Sequence, residues 1–234
     1  MRASVSHPEL VDRAEWLAAR RAAVVREYDE AAAEYDAKDY PRQAQEEWVA
    51  RLLAGLAAGG VVLDAPCGTG RYFPMVAAAG FRVVGVDQSS GMLAQARKRG
   101  IAEALEQRTL TGLDYRDQFD AAMTIDAMEN VPAEDWPVVL ANLRKAVIPG
   151  SPLYLTVEER AEQDIELEYQ DLSRRGLPAI RGEVIEGNVA GFHYYPGRDR
   201  VLEWFAQVGL EVTAEGYTPA DGWAYRHFLL RRPG

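Results

Sequence analysis

Asp64 and Asp87 are the residues of this chain best placed to do chemistry. Each closes a short apolar run, "VVLDA" at 61–65 and "FRVVGVD" at 81–87, and the turn "PCGTG" follows the first. A carboxylate beside glycines at a strand end can accept hydrogen bonds from the hydroxyls or amines of a ligand lying against the backbone. Gly68 and Gly70 permit that approach, and the amides that open the next helix can receive an anionic group. A second polar set follows later apolar runs: Asp126, Met128, Glu129 and Asn130 in "TIDAMENVP", Glu158 and Glu159, then His193, Tyr194 and Tyr195 in "GFHYYPGRD". Histidine titrates near neutrality, and a desolvated glutamate is raised toward it, so His193 and Glu129 compete for the role of general base.

These side chains need rigid elements behind them. "VVLDA", "FRVVGVD", "FDAAMTI" (119–125) and "PLYLTV" (152–157) read as short strands, with helical stretches at 71–79, 90–99 and 134–146 between them. Strands alternating with helices predict a parallel sheet covered on both faces. Ahead of it, Trp16, Leu17, Val24, Val25 and Tyr28 lie near helical spacing. Trp48, Val49, Leu52, Leu53 and Leu56 form a second stripe after Pro41, ended by Gly59 and Gly60. About 35 residues without a convincing element then separate "PLYLTV" from the helix "RDRVLEWFAQVGL", longer than a compact domain usually allows. "LEVTAEGYT" and "WAYRHFLL" close the chain as two strands able to pair antiparallel through a turn at 219–222.

Three ligand classes compete for the glycine turn. A dinucleotide fingerprint wants a third glycine for close helix packing, and Phe73 stands there instead. A phosphate loop wants Lys and Ser or Thr after its last glycine, and no lysine follows. Taken singly, Asp64 caps a turn and Asp87 precedes the helix caps Ser89 and Ser90. Together, on consecutive strand–helix units, they favour a bound cofactor without phosphate.

The segments "LDAPCGTG", "VVGVDQSSGML", "FDAAMTIDAMENVP" and "LRKAVIPGSPLYLTV", in that order, resemble the class I S-adenosylmethionine-dependent methyltransferases, especially their small-molecule branch. Pro66 stands where that family's first turn glycine usually falls. The resemblance implies an α/β fold of Rossmann type, a three-layer sandwich whose sheet has seven strands, mostly parallel with the last one antiparallel. It also implies S-adenosylmethionine as cofactor and S-adenosylhomocysteine as product. Ala65, Cys67, Gly68 and Gly70 would line the amino-acid end of that cofactor, with Asp64 near its cations and Asp87 on the ribose hydroxyls. Gln88, Met92 and the backbone at Leu110 would border adenine, and Asp126 would close the site from the fourth strand. The segment "REYDEAAAEYD" resembles a lid that folds over the cofactor in relatives, with Tyr28 on either the ligand or the core side and Tyr35 on the core side. Residues 1–234 then form one domain, with a helical lid at about 1–58 and a substrate-side insertion at about 158–196.

Methyl transfer from a sulfonium mainly requires alignment and exclusion of water. The acceptor belongs beyond the carboxyl ends of the strands, which points to Met128, Glu129, Glu158, His193, Tyr195 and Trp223 as substrate contacts. Carboxylates among aromatic faces also suit an amine, so oxygen and nitrogen acceptors both stay open. The motif that grips a planar amino group in adenine-type methyltransferases is missing after the fourth strand. His7 falls in the N-terminal stretch, His227 reads as structural, and Cys67 reads as part of the cofactor turn rather than as a nucleophile.

The bulk numbers narrow the partners. With 26 Lys plus Arg against 36 Asp plus Glu in 234 residues, the net charge of -10 disfavours a broad nucleic-acid surface. One cysteine allows no disulfide framework and no cysteine-rich metal centre, which suits a reducing cytoplasm, and no metal is expected. No run reads as a signal peptide or a membrane span. A nicotinamide-dependent oxidoreductase and a non-catalytic S-adenosylmethionine-binding protein are the competing functions.

Overall fold

A computed structural model describes residues 11–37, 43–186, 191–220 and 223–234. The expectations for His7, Pro41 and the turn tip at 221–222 lie outside them. Helices α1 (Arg13–Ala37) and α2 (Gln43–Ala54) come first and bury the stripes that their spacing predicts: Trp16, Leu17 and Val24 on one, Trp48, Val49, Leu52 and Leu53 on the other. Five strands and three helices follow: β1 (Val61–Asp64), α3 (Phe73–Ala78), β2 (Arg82–Asp87), α4 (Ser90–Lys98), β3 (Ala104–Gln107), β4 (Ala121–Thr124), α5 (Trp136–Ala146) and β5 (Pro152–Glu159). Next come α6 (Glu162–Arg174), the hairpin β6 (Glu183–Glu186) and β7 (Gly191–Tyr194), α7 (Arg198–Val208), β8 (Glu211–Ala220) and β9 (Trp223–Arg231).

Seven strands form one sheet in the order β3-β2-β1-β4-β5-β9-β8. The first five run parallel, and β9 enters antiparallel between β5 and β8, so β9 alone opposes the rest. Alternation along the strands builds a core on each face. Leu63, Ala122, Leu153 and Phe228 meet α5 and α7 on one side, while Val62, Val83, Ala121 and Met123 meet α2, α3 and α4 on the other. This is the predicted three-layer sandwich. Because β1, β2, β4 and β5 are parallel, Asp64, Asp87, Asp126 and Glu158 collect at one edge of the sheet.

The stretch after β5 corrects the sequence expectation of a long connection. It holds a 13-residue helix, α6, and a two-stranded hairpin. The helix buries only Ile165 and Leu172 while Leu167 between them is exposed, and its few apolar residues stand among many charges, so the run reads as connection. His193 therefore sits in a strand, paired with Val184, rather than in a loop before α7.

Helix α1 crosses the open edge and is fastened on both sides. Near its start, Arg13 forks onto the fully buried carboxylate of Glu183 at 2.7 and 3.1 Å, and Trp16 packs edge-on against Phe192. Toward its end, Asp29 accepts from the Gly91 amide at 2.8 Å and the Ser89 hydroxyl at 2.7 Å, which caps α4 from outside. A Cβ on Gly91 would lie 2.5 Å from the Asp29 carbonyl oxygen, so this contact admits only glycine. Gly91→Ala is therefore expected to lower Tm by roughly 3–10 °C, from about 1–3 kcal/mol of overpacking. Gly55→Ala, with nothing within 4 Å of its Cβ, should shift Tm far less. Calorimetric melting of the two variants checks this, and equal melting points would mean that α1 does not dock on α4.

Candidate functional site

A cavity of about 750 Å³ opens at the carboxyl edge of the sheet, under α1. Its floor at one end is the glycine turn. Asp64 ends β1 buried, and the chain then turns through a cis Ala65–Pro66 bond to Gly68, whose φ of 51° places it in the left-handed region. A Cβ on Gly68 would meet nothing within 4 Å, because that side faces the cavity. Asp87 ends β2 and ties the turn down: one carboxylate oxygen accepts from the Gly68 amide at 2.9 Å, the other from the Ser89 amide at 2.8 Å. Asp87 thus holds the turn in shape and keeps lone pairs for a ligand. Cys67 also faces the cavity, but burial with Asp64 and Asp87 nearby pushes its thiol far above the usual range, so it is no nucleophile.

The other end is acidic. Asp126 follows β4 with φ 55°, an uncommon conformation for a residue with a side chain. Its amide donates to Thr156 Oγ1 at 2.7 Å, and its carboxylate accepts from the Tyr225 hydroxyl. Open to the cavity but enclosed by protein around it, the Asp126 carboxyl is raised by burial to about 6, against an opposing pull from Arg71. Glu129, in a 3₁₀ turn (Met128–Asn130), is 6% exposed and accepts from Asn130 Nδ2 at 3.0 Å. Burial first, then the charges of Asp126 and Glu158, raise it well above an ordinary glutamate. His193 reaches the same wall from β7, with Nδ1 3.1 Å from the Tyr195 hydroxyl. From α1, Tyr28 and Tyr35 meet edge to face at 6.2 Å over the cavity, and Asn130 hydrogen-bonds Tyr28.

Of the predicted site residues, Tyr28, Asp64, Cys67, Gly68, Asp87 and Gln88 line this cavity, as do Met92, Leu110, Asp126, Glu129, Glu158 and His193. Four others stand elsewhere. Ala65 is fully buried between β1 and β4, its amide bonded to Met123. Gly70 serves packing, since the ring of Phe73 occupies its Cβ position at 2.5 Å. Met128 is 0% exposed and belongs to the core, because neighbouring residues of a 3₁₀ turn point in different directions. Tyr195 packs with Ile165 and Val184 behind His193. The Trp223 side chain lies outside the described residues. His227 is structural: it stacks on Trp48 at 5.4 Å, bonds Tyr154 and Thr218, and burial lowers its pKa to about 4.

Sequence reasoning missed several cavity residues. Helical spacing puts Tyr35 on the core side, yet it faces the cavity beneath the guanidinium of Arg71, 4.3 Å from its ring. Thr69 and Tyr72 join Arg71 around the turn. Tyr225 shares one face of β9 with His227, so the period-two alternation of "WAYRHFLL" carried that signal.

A methyltransferase domain family matches residues 62–150. Tuberculostearic acid methyltransferase of Mycobacterium tuberculosis is 34% identical over 116 residues, which are 47% of this chain and 27% of that protein. The demethylmenaquinone methyltransferase of a Parafrankia species is 30% identical over 226 residues, covering 84% of this chain and 86% of that enzyme. The chain belongs to the class I S-adenosylmethionine-dependent methyltransferases. In fold, this methyltransferase is similar to the 1,6-didemethyltoxoflavin-N1-methyltransferase of Burkholderia thailandensis, solved with 1,6-didemethyltoxoflavin and S-adenosylhomocysteine. The TM-score is 0.69 at 20% identity, over 99% of this chain and 95% of that one.

The cavity of this methyltransferase fits such a cofactor. Asp64 Oδ2 is buried and has no hydrogen-bond partner among the described residues. Burial and Asp87 raise its carboxyl well above the usual range, a cost that a ligand cation removes. S-adenosylmethionine carries an ammonium and a sulfonium and no phosphate, in keeping with a turn that lacks a phosphate-binding lysine. Among the described residues no helix is long and apolar enough to cross a membrane.

The Asp126 shift predicts a pH dependence. Its folded-state pKa of about 6 lies above the unfolded value, so the folded state binds the proton more tightly and stability falls as pH rises through that window. Asp126→Asn removes the charge. Its Tm should gain on the parent's by a few degrees between about pH 4.5 and about pH 7.5, after solvent screening. A difference that stays flat with pH, in parallel melts, would contradict the shift.

Proposed function

We propose that this methyltransferase moves a methyl group from S-adenosylmethionine to a small organic acceptor held in the same cavity. One observation carries this: a single continuous cavity of about 750 Å³, partly open to solvent, has the glycine turn with Asp64 and Asp87 at one end and Asp126, Glu129, Glu158 and His193 at the other. That volume suits a cofactor and a compact partner together. When bound, the cofactor supplies a methyl already activated on sulfur. The chain's own work is to bind, align and keep water out.

Asp64 and the amides of the glycine turn hold the amino-acid end. Asp87 accepts from the ribose hydroxyls with the lone pairs that Gly68 and Ser89 leave, and Gln88, Met92 and the Leu110 backbone flank adenine. Tyr28 and Tyr35 cover the cavity from α1, whose anchors at Glu183 and Gly91 make α1 a strap across both ends. His193 and Glu129 are the groups on the acceptor wall able to take a proton, and Tyr195 orients the His193 ring from behind. These side chains act on a molecule small enough to be enclosed.

Asp87→Ala should weaken S-adenosylhomocysteine binding by about 10–100-fold, the size expected for lost charge-assisted hydrogen bonds. His193→Ala should keep that affinity within about threefold and lower turnover by roughly 100-fold, the scale of one acid–base group. Calorimetric titration and a methyl-transfer assay read the two effects, and the opposite pattern would reverse the assignments.

A further inference from the structure

The acidic end of the cavity has an imbalance that its neighbours correct only in part. Of the arginines on the cavity wall, Arg21 pairs with Asp135 and Arg108 with Glu106 and Asp114, while Arg71 donates to the Tyr35 carbonyl, lies over that ring and offsets Asp126 in part. Glu129, by contrast, is buried with one carboxylate oxygen, Oε2, lacking any partner among the described residues. Asp126 and Glu158 share its wall, with the Tyr28 and Tyr225 rings beside them. Among the described residues no three His, Cys, Asp or Glu side chains come together as a group that could hold a metal ion.

Resting on the methyl-transfer reading above, we propose that the acceptor is a small primary or secondary amine, whose nitrogen sits against Glu129 with Asp126 and Glu158 around it. The reaction balances on groups already named. An ammonium entering beside Glu129 first displaces that carboxyl's own proton to solvent; the Glu129 carboxylate then takes the ammonium proton and frees the nitrogen lone pair. The lone pair forms the new N–C bond as the S–C bond breaks, and the bonding electrons stay on sulfur. Positive charge moves from sulfur to nitrogen, so the wall faces a cation before and after the transfer, and it stabilises the state in between. Burial and like charges around Glu129 favour its holding the proton. An alcohol or acid acceptor needs the opposite. Its oxygen becomes anionic to attack, and each of the three wall carboxyls that is ionised opposes that charge. Tyr28 and Tyr225 add ring faces that favour a cation.

The test uses the full chain saturated with S-adenosylhomocysteine and matched probes: benzyl, phenethyl and cyclohexylmethyl scaffolds, each as amine, alcohol and carboxylic acid. On at least one scaffold the amine should bind about tenfold tighter than its alcohol or acid, by calorimetry. With S-adenosylmethionine in place of the product, that amine should gain one methyl by mass spectrometry. Glu129→Gln should reduce the preference to within about threefold, while its affinity for S-adenosylhomocysteine stays within about twofold of the parent. Preference for alcohols or acids, no amine binding on any scaffold, or an undiminished preference in E129Q would overturn the proposal. Should E129Q fail to fold, the probe series on the parent chain decides alone. Failure to bind S-adenosylhomocysteine at all would instead count against the cofactor site, a separate result.

Discussion

A carboxyl group taken out of water raises the free energy of the fold unless a proton, hydrogen-bond donors or a cation compensates it. The cavity of this methyltransferase places Asp64, Asp87, Asp126, Glu129 and Glu158 on one continuous wall. Asp87 is compensated by backbone amides, and Asp126 in part by Tyr225 and the field of Arg71. Asp64 and Glu129 each keep a buried oxygen with no partner among the described residues. Burial raises Asp64 and Glu129 toward holding protons, and on the proposed reading a cationic ligand takes the place of those protons. The site's specificity follows from that exchange.

The fold makes the exchange available by convergence. Parallel strands bring the residues that follow β1, β2, β4 and β5 to one edge, though they are far apart in sequence. The two central cores fix the strands, and α1 closes the edge from above through the Arg13–Glu183 pair and the Asp29 cap on α4. α1 touches the hairpin at one end and α4 at the other, so it spans both halves of the cavity.

What could be read from sequence was set by local periodicity. Asp64, Gly68 and Asp87 stood out because strand runs ended there beside glycines, and the structure puts all three on the cavity. Gly70 carried the same signal for a different reason, since nothing in the sequence says that Phe73 folds back over it. Ala65, Met128 and Tyr195 were drawn in by adjacency to polar neighbours. Chain direction separates them: a strand alternates, and a 3₁₀ turn sends successive side chains apart. α6 was hidden because its few apolar residues stand among many charges and only Ile165 and Leu172 are buried. Tyr35 and Arg71 meet only once α1 lies across the turn, a long-range contact that no window of sequence contains.

The central claim is that cation binding displaces protons from this wall. Titrating S-adenosylmethionine into the chain by calorimetry at about pH 6.5, in two buffers of different ionisation enthalpy, measures the protons released per ligand bound. The account predicts a net release, larger for S-adenosylmethionine than for S-adenosylhomocysteine, whose sulfur carries no charge. Tight binding of both with no proton released would contradict it.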